Sequence, residues 1–279
     1  MKKTAPCSAL ICVYEGAPAN YFVTAVESLY GQTLPPAEVV VVGDGPLKDE
    51  LSTAIKNFEK KYASFHFYAR KENHGVGSAS NYGIKKAKYG LIAKMDADDI
   101  SEPDRIKKQI KKFDADPELA LLGGQIAEFA NDDPKQIVSR REVPLTNDEI
   151  KQFARRRSPM NNPTIMFRKK SVEAVGGYPE LNRAEDYLLF AKMIAAGQKL
   201  ENLPDVLVKY RLSTDNTKRR KNWRHTKEMI HARKEAYKLG VASWFDYQYM
   251  KVAFIALYII PDKLSEKIYK KRLRTHEQQ

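Results

Sequence analysis

Along the first hundred residues, short apolar runs alternate with longer segments in which apolar residues recur every three or four positions. The runs have the length and composition of buried strands; they are ALICV (9–13), EVVVV (38–42), FHFYA (65–69) and LIAKM (91–95). The segments between them have helical periodicity, as at Phe22, Val26 and Leu29. This βαβαβαβ order predicts a parallel sheet with helices on both faces.

The pattern is less regular in the second half of the chain. It predicts a strand at 120–130, then a loop, a strand, a short helix and a loop within 158–180, a helix at 184–197 and a last strand at 205–213. Basic helical patterns follow to the end of the chain. We therefore predict an α/β fold, with a mostly parallel sheet flanked by helices and a basic helical C-terminal extension.

The composition is that of a folded chain with one large domain or a domain and an appendage. Of the 279 residues, 43% are hydrophobic, which excludes global disorder. Cys7 and Cys12 offer neither a disulfide framework nor metal-ligand spacing, which favours a reducing compartment. The first residues are more typical of a strand than of a signal peptide, and no apolar run approaches the ~20 residues that span a bilayer. We therefore expect a cytoplasmic location.

The formal net charge of +13 is unevenly distributed along the chain. Residues 201–279 contain 18 Lys or Arg and 9 Asp or Glu, so this segment carries +9 of the total. Such a basic excess suits an anionic partner, which could be a membrane surface, a nucleic acid or a phosphorylated substrate. The alternative is a solvated helical face without a partner.

Polar residues follow the predicted strands at the edge where open parallel sheets bind their ligands. Tyr14 and Glu15 follow the first strand, and Asp44 follows the second. After the fourth strand, Asp96 and Asp98 have the i, i+2 spacing that places two side chains on the same side of an extended backbone. Carboxylates are suitable ligands for a Mg²⁺ or Mn²⁺ ion that also binds a diphosphate. Alternatively, both residues belong to a turn and N-cap before the next helix.

Two further carboxylate positions have both a structural and a chemical interpretation. Asp44 lies between Gly43 and Gly45, so it is either a turn residue or an acceptor for the imide N–H of a nucleobase. Glu185 and Asp186 open a helix, where the helix dipole stabilises a carboxylate by about 0.3–1 kcal/mol. If Asp186 instead faces the crevice, it can deprotonate an acceptor hydroxyl as a general base.

Five segments, in this order, resemble the family 2 inverting glycosyltransferases with the A-type glycosyltransferase fold. The likeness extends over roughly residues 6–213, and its segments are ALICVYEG, SLYGQTLPPAEVVVVGDG, NHGVGSASNYGIKKAKYGLIAKMDADDISEPDRIKKQI, NNPTIMFRKKSVEAVGGYPE and RAEDYLLFAKMIAAG. The third is similar to the family's central block, and the last contains its Glu-Asp motif. The resemblance implies a catalytic domain at 1–215, with a nucleotide-binding half at 1–100 and an acceptor half at 101–215, followed by a helical extension at 216–279.

The resemblance also implies roles for individual residues. Asp186 would be the catalytic base, and Asp98 with Asp96 would bind Mn²⁺ or Mg²⁺. Asp44 would contact a uracil base, and Asn81 would lie by the diphosphate. The complete set implied for the donor nucleotide is Cys12, Tyr14, Glu15, Asp44, Asn81, Asp96, Ala97, Asp98 and Arg211. The residues implied on the acceptor side are Gly176, Gly177, Tyr178 and Glu185.

The chain departs from the family pattern in two places. Many members have Asp-Asp-Gly after the second strand, whereas this chain has Gly-Asp-Gly at 43–45, so the identity of the base stays open. Many members also have a histidine after the Tyr-Arg pair of the last strand, whereas this chain has Ser213 and Asp215 in that segment. We therefore expect no third metal ligand from it, and Arg211 is the group that could pair with the diphosphate there.

The resemblance implies an inverting, metal-dependent sugar transfer in cell-surface polysaccharide biosynthesis. The donor would be a nucleotide-sugar, with a UDP-sugar favoured, and the acceptor a glycan or a lipid-linked oligosaccharide. The basic and aromatic C-terminal extension predicts peripheral contact with an anionic membrane at the inner face of the cell membrane. A helical cap packed on the catalytic domain is the alternative. No nucleic acid partner is expected.

Two other functions remain open on sequence grounds. A sugar nucleotidyltransferase also uses a parallel sheet and a metal-bound diphosphate, but its opening Gly-rich loop with an arginine and a lysine is missing from ICVYEGAPANY (11–21). A non-enzymatic nucleic-acid-binding protein fits the pI of about 9.5, but the basic residues form no familiar reader motif.

Overall fold

The computed structural model describes residues 3–130, 132–212 and 222–260. Its strands are β1 (Ala5–Val13), β2 (Pro36–Gly43), β3 (Phe65–Ala69), β4 (Leu91–Asp96), β5 (Ile100–Ser101), β6 (Leu119–Phe129), β7 (Ile137–Arg141), β8 (Met166–Arg168) and β9 (Lys199–Arg211). Its helices are α1 (Ala19–Tyr30), α2 (Asp49–Lys61), α3 (Val76–Lys86), α4 (Arg105–Ala115), α5 (Asn147–Ala154), α6 (Lys169–Ala174), α7 (Glu185–Ala195), α8 (Trp223–Lys238) and α9 (Trp244–Ile259).

The strands form one sheet in the order β3-β2-β1-β4-β8-β6-β9-β5, with β7 paired to β6. Strands β1 to β4 are mutually parallel, as are β6 and β9, and β8 joins the two sets in antiparallel pairing. β5 follows β4 directly in the chain but pairs with β9, so the sheet is curled. The predicted α/β fold with a mostly parallel sheet is confirmed.

Alternate residues of the central strands bury their side chains on opposite faces of the sheet, as the pleat requires. Leu10 and Val42 pack with residues of α3 and α7 on one face. Ile11 and Val41 pack with residues of α1 and α2 on the other. On the first face, Gly83 allows α3 to approach β1 closely, because a Cβ at this position would overlap the Leu10 side chain. This packing fixes the carboxyl ends of β1, β2 and β4 beside one another.

Three elements were not predicted from the sequence, and the start of β9 is the boundary that differs most from its prediction. β5 and β7 are short and lie outside the apolar runs. α5 begins with a capping box between Thr146 and Glu149. The Thr-x-x-Glu spacing is a signal for the start of a helix, but the helix was not predicted because only the apolar periodicity was considered. β9 begins at Lys199 rather than at 205, and residue 213 lies outside the described residues.

The last two helices pack on the body of the fold through α7. Ala232 and Ala236 of α8 meet Tyr187 of α7 in an apolar cluster, and the Arg233 guanidinium lies 3.4 Å from the centre of the Tyr187 ring. The predicted C-terminal helices are thus present, although residues 216–221 and 261–279 lie outside the described ranges. The division into the domains named above stays a prediction. Across residues 3–130, 132–212 and 222–260, no helix combines the length and the hydropathy needed to cross a membrane.

Asp246 ties the start of α9 to the end of α5. Its carboxylate forms a capping box with Ser243 and accepts hydrogen bonds from Arg155 Nε at 2.9 Å and from Arg156 Nε at 2.6 Å. The Asp246 side chain is 1% exposed, whereas those of the two arginines are 49% and 53% exposed. Burial opposes ionisation, but the hydrogen bonds from Ser243 and both arginines outweigh it and hold the pKa of Asp246 below its usual range.

We predict that Asp246→Ala lowers the free energy of unfolding by about 1–2 kcal/mol at pH 7, the cost of a lost helix cap. The half-exposed arginine pairs add little because solvent screens them. Since the pKa of Asp246 is lowered in the folded state, its contribution is complete above the usual aspartate pKa of about 4 and is lost as the pH falls below that value.

Urea unfolding at pH 7 and at pH 3.5 measures both effects. A matched control is Asp148→Ala, which removes a carboxylate whose side chain is 89% exposed. If the two variants have equal stability at pH 7, Asp246 does not anchor α9.

Candidate functional site

A cavity of about 310 Å³ lies at the carboxyl ends of β1, β2 and β4 and is bounded by the first residues of α3 and α7. Parallel register places Cys12 of β1 directly beside Asp96 of β4, and Val13 beside Gly43 of β2. The structure thus brings together half of the residues predicted for the site, including most of those predicted for the donor nucleotide. Those that line the cavity are Cys12, Tyr14, Asp44, Asp96, Ala97, Asp98 and Glu185. Glu15 is exposed on the adjoining loop and is not part of the lining.

A larger and shallower depression of about 590 Å³ lies at the start of α5. Its carboxylate, Glu149, is engaged in the helix cap with Thr146. It offers no convergent titratable groups, so we place the candidate active site in the cavity at the strand ends.

The acidic segment after β4 has two different parts. β4 ends at Asp96, and Ala97 and Asp98 form a turn, so the expected extended backbone across Asp96 and Asp98 is wrong, although both residues line the cavity. Burial, and then the Asp96 carboxylate, raise the pKa of Asp98 to about 6. Asp99 is fully buried and accepts a hydrogen bond from the backbone N–H of Arg211 at 3.0 Å. Burial raises the pKa of Asp99 well above its usual value, and its bond to the β9 backbone gives it a structural role.

Buried basic residues lie beneath this segment, and the sequence analysis did not identify them. The Lys94 side chain is 1% exposed, and its Nζ lies 3.4 Å from Asp96 Oδ1 and 3.3 Å from the Met95 carbonyl. Burial opposes the charge on Lys94, but the Asp96 carboxylate outweighs it, and the pKa of Lys94 is raised. Arg105 is fully buried and donates from Nη2 to the Lys94 carbonyl at 2.6 Å. The sequence did contain a signal for this arrangement, which is the lysine inside an apolar strand. Lysine is almost never buried without a partner, so its position indicates a nearby carboxylate.

Arg211 has a structural role that the sequence did not indicate. Its guanidinium donates to the Asp98 carbonyl at 3.0 Å and to Asp132 Oδ1 at 2.6 Å, and it lies 3.9 Å from the centre of the Tyr21 ring. These contacts position the Asp98 turn, and Arg211 is not part of the cavity lining. The diphosphate contact expected for Arg211 stays a prediction. Ser213 and Asp215, which were considered for the same segment, lie outside the described residues.

Asp44 is buried and organises the loop that precedes α3. Its Oδ1 accepts from Arg70 Nη1 at 2.9 Å and from the His74 N–H at 3.2 Å, and its Oδ2 accepts from the Gly75 N–H at 2.8 Å. A carboxylate has about four acceptor positions, so one position on Oδ2 is left. The structural and the base-binding interpretations of Asp44 are therefore compatible.

Asn81 also has a structural role. Its Nδ2 donates to the Tyr178 carbonyl at 2.8 Å, and its Oδ1 accepts from the Tyr178 N–H at 2.8 Å. These bonds fix the turn that Gly176 and Gly177 form with positive φ values of 81° and 72°. At Gly177 a Cβ would also crowd the Asn81 amide. The position of Asn81 by the diphosphate stays a prediction.

The first turn of α7 separates its two carboxylates. Glu185 lines the cavity, whereas Asp186 does not, and Asp186 Oδ1 accepts from the Tyr187 N–H at 2.7 Å. Burial raises the pKa of both carboxyl groups. At Glu185 the charge of Asp186 raises the pKa further. At Asp186 the charges of Arg141 and Arg233 act in the opposite direction. Neighbouring helical residues point about 100° apart, so one turn presents carboxylates in two directions.

The donor set of the cavity fits a hard divalent cation with two protein ligands. Asp96 and Asp98 supply carboxylate oxygens, which Mg²⁺ and Mn²⁺ prefer. Burial, and then the Asp96 carboxylate, raise the pKa of Asp98, and a bound cation would stabilise its charged form. In the part of the chain that the structure describes, no cluster of three or more His, Cys, Asp or Glu could hold a metal. Further ligands would therefore come from a bound diphosphate and water.

Comparisons with known proteins agree on one family. The family model "Glycosyl transferase family 2" matches residues 8–176. An uncharacterized glycosyltransferase of Haemophilus influenzae is 33% identical over 96% of this chain and 98% of that protein. The amylovoran biosynthesis glycosyltransferase AmsE of Erwinia amylovora is 33% identical over 84% of this chain and 85% of its own length. The UDP-Gal:alpha-D-GlcNAc-diphosphoundecaprenol beta-1,3-galactosyltransferase of Escherichia coli is 29% identical over 96% of both chains.

Solved structures share the fold. The mannosyltransferase PcManGT from Pyrobaculum calidifontis, in complex with GDP-Man and Mn²⁺, has a TM-score of 0.63 at 17% identity, covering 95% of this chain and 79% of that one. Residues 1–349 of S. aureus TarS, in complex with UDP-GlcNAc, give 0.62 at 17% identity, with 92% and 77% covered. At these identities the likeness concerns the fold alone, which is the A-type glycosyltransferase fold.

We predict that Asn81→Ala lowers the free energy of unfolding by about 1–3 kcal/mol, because it leaves the buried N–H and C=O of Tyr178 without partners. Urea unfolding measures this change, and isothermal calorimetry with a nucleotide follows binding in the same variant. Ser78→Ala, on the same helix, is the control. Unchanged stability together with lost nucleotide binding would contradict the structural role and favour the diphosphate contact.

Proposed function

The chain belongs to glycosyl transferase family 2, and from this premise we propose that it transfers a sugar from a nucleotide-diphosphate donor to an acceptor hydroxyl with inversion. The observation that carries the proposal is the convergence of Asp44, Asp96 and Asp98 in one cavity at the ends of neighbouring parallel strands. Ligands of open α/β sheets bind at this edge.

The nucleotide occupies the end of the cavity at β1 and β2. The remaining acceptor position on Asp44 receives the imide N–H of uracil, which favours a UDP-sugar as the donor. Tyr14 is 42% exposed at the cavity wall, so its ring is available to cover the base. Burial raises the pKa of the Cys12 thiol, which therefore lines the pocket as a neutral group. Two similar proteins have names or ligands that contain UDP-sugars, and a third binds GDP-Man.

Asp96 and Asp98 would hold Mn²⁺ or Mg²⁺, and the cation would neutralise the charge of the diphosphate leaving group. Lys94 keeps Asp96 oriented from below, and Arg211 keeps the Asp98 turn in place. The similar mannosyltransferase structure contains Mn²⁺, which supports a divalent cation here.

Asp186 accepts the proton of the acceptor hydroxyl as that oxygen attacks the anomeric carbon. The bond between the sugar and the diphosphate breaks in the same displacement, so the anomeric configuration inverts and no sugar–enzyme bond forms. The Tyr187 N–H fixes the carboxylate through Oδ1 and leaves Oδ2 for the substrate. The turn at Gly176 to Tyr178, pinned by Asn81, borders the acceptor.

The acceptor is a glycan or a lipid-linked oligosaccharide in cell-surface polysaccharide biosynthesis. Supporting this, one similar protein is named for amylovoran biosynthesis and another for a diphosphoundecaprenol acceptor. We place the reaction at the cytoplasmic side of the membrane, with peripheral contact to anionic lipid. Family membership disfavours the nucleotidyltransferase and nucleic-acid-binding alternatives.

We predict that Asp186→Asn lowers turnover by roughly 10²–10⁴-fold, the typical contribution of a general base, while donor affinity stays within twofold of wild type. Steady-state kinetics and calorimetry give the two values. Glu185→Gln is the matched control: the raised pKa of Glu185 makes it largely neutral, so the amide is a close substitute. A larger loss of turnover in Glu185→Gln than in Asp186→Asn would move the base to Glu185.

Among UDP-, GDP- and dTDP-sugars, we predict Mn²⁺-dependent binding of a UDP-sugar, measured by calorimetry. Asp98→Asn should weaken this binding by more than the roughly 10- to 100-fold typical of an outer-shell metal partner. Asp99→Asn is the control, because Asp99 lies outside the cavity lining and the amide oxygen of the variant can still accept from the Arg211 N–H. Equal donor affinity in Asp98→Asn and Asp99→Asn would remove Asp98 as a ligand.

A further inference from the structure

Helix α9 exposes a continuous apolar face. Phe245, Tyr249, Val252, Ala256 and Ile259 follow the i, i+4, i+7 spacing of one helix side, and all are exposed. The exposed fraction is 75% at Phe245, 65% at Val252 and 71% at Ile259. We call these five residues the α9 stripe. With a rise of 1.5 Å per residue, the helix extends over about 24 Å.

The opposite side of α9 packs on the fold, so the stripe is not its core-facing side. α8 contacts α9, and Arg233 of α8 lies 5.9 Å from the centre of the Phe254 ring. The helical-cap interpretation therefore accounts for the face of α9 that packs on α8, and it does not account for the exposed stripe on the other face. Soluble monomeric domains rarely expose contiguous apolar patches unless the patch binds something.

Aromatic residues lie at both ends of the stripe. Trp244 is 52% exposed at the first turn of α9, where its ring lies 5.1 Å from that of Phe245. At the last turn, Trp223 of α8 is 45% exposed, with its ring 5.3 Å from that of Tyr258. Amphipathic rings of this kind are enriched where a protein meets the boundary between lipid headgroups and acyl chains.

The charge around the stripe is basic. Arg156 is 53% exposed and its guanidinium lies 4.9 Å from the centre of the Tyr249 ring. The charged residues of α9 are Asp246 and Lys251, and Asp246 is buried and paired, so α9 presents no exposed carboxylate. The adjoining sequence 261–279 contains six Lys or Arg and three Asp or Glu, a formal charge of +3. This charge complements an anionic surface.

We propose that the α9 stripe is a monotopic lipid-contact surface that inserts into the headgroup region of bilayers rich in anionic phospholipid. A second copy of the chain would bury the apolar side chains, but it would bring two basic rims together. The inference deepens the proposed function, because a lipid-linked acceptor would be presented at the same bilayer. It identifies which surface faces that bilayer.

The tryptophan fluorescence of the protein reports on this surface. It has two tryptophans, Trp223 and Trp244, and both flank the stripe. We expect vesicles of phosphatidylcholine with 30 mol% phosphatidylglycerol to shift the tryptophan emission of the full chain to shorter wavelength, and brominated acyl chains to quench it. Pure phosphatidylcholine should have a much smaller effect. Unchanged emission at saturating anionic vesicles would overturn the proposal, even if the protein bound them through another surface.

Flotation of variants on the same vesicles provides a second test. The triple variant Phe245→Ser, Val252→Ser, Ile259→Ser should bind at least ~10-fold more weakly, because it removes three large apolar side chains from the contact. The control Val138→Ser, Leu145→Ser changes two exposed apolar residues of the β7 and α5 region and should bind as wild type does. Equal binding by the triple variant overturns the proposal.

Two further measurements distinguish lipid binding from self-association and from a defect in donor binding. Light scattering gives the oligomeric state of wild type and of the triple variant. If wild type is a dimer, the triple variant is a monomer and neither protein floats with vesicles, then a second copy occupies the stripe and the lipid proposal is wrong. Mn²⁺-dependent UDP binding in solution should be equal in all variants. If wild type does not bind UDP, the proposed function is contradicted, but the conclusion from the vesicle experiments still holds.

Discussion

A carboxylate buried without a partner is costly enough that it normally takes up a proton instead, and the segment from Asp96 to Asp99 places three aspartates within four positions at the end of β4. The fold resolves this in two ways. Burial raises the pKa of Asp99, which favours its protonated form, and Asp99 serves as an acceptor for the β9 backbone. Asp96 and Asp98 retain contact with the cavity, and the buried Lys94 lies beside Asp96. The acidic site therefore exists only together with the basic residues beneath it.

The curl of the sheet holds the acidic turn in place at the edge of the cavity. β4 leads into the acidic turn, and β5 carries the chain onward to pair with β9. Arg211 at the end of β9 then holds the Asp98 carbonyl, so two distant parts of the sheet fix one turn. On the opposite wall, α7 brings Glu185 to the cavity and points Asp186 elsewhere. The proposed donor site and the proposed base, Asp186, therefore lie on different sides of the first turn of α7.

Sequence reasoning located the site where periodicity and strand ends determined it. Asp44, Asp96 and Asp98 were found because parallel strands place their carboxyl ends at one edge. It did not predict hydrogen bonds between residues that are far apart along the chain. Asn81 binds the Tyr178 backbone 97 residues away, and Arg211 binds the Asp98 carbonyl 113 residues away. A family resemblance indicates which part of the fold such residues occupy, but it does not indicate which groups they form hydrogen bonds with.

Lys94 and the exposed face of α9 were missed for a different reason. An apolar run was interpreted as uniformly buried, although it contained a lysine whose burial required a carboxylate nearby. The apolar residues of α9 surround the helix, so periodicity could not distinguish its packed face from its exposed face. Only the position of α8 decides which side remains exposed.

A crystal structure of the full chain with UDP and Mn²⁺ tests the central claim most directly. We expect an anomalous manganese peak between the diphosphate and the carboxylates of Asp96 and Asp98, with the uracil imide at Asp44 Oδ2. Nucleotide bound at another surface, with this cavity filled only by water, would contradict the claim.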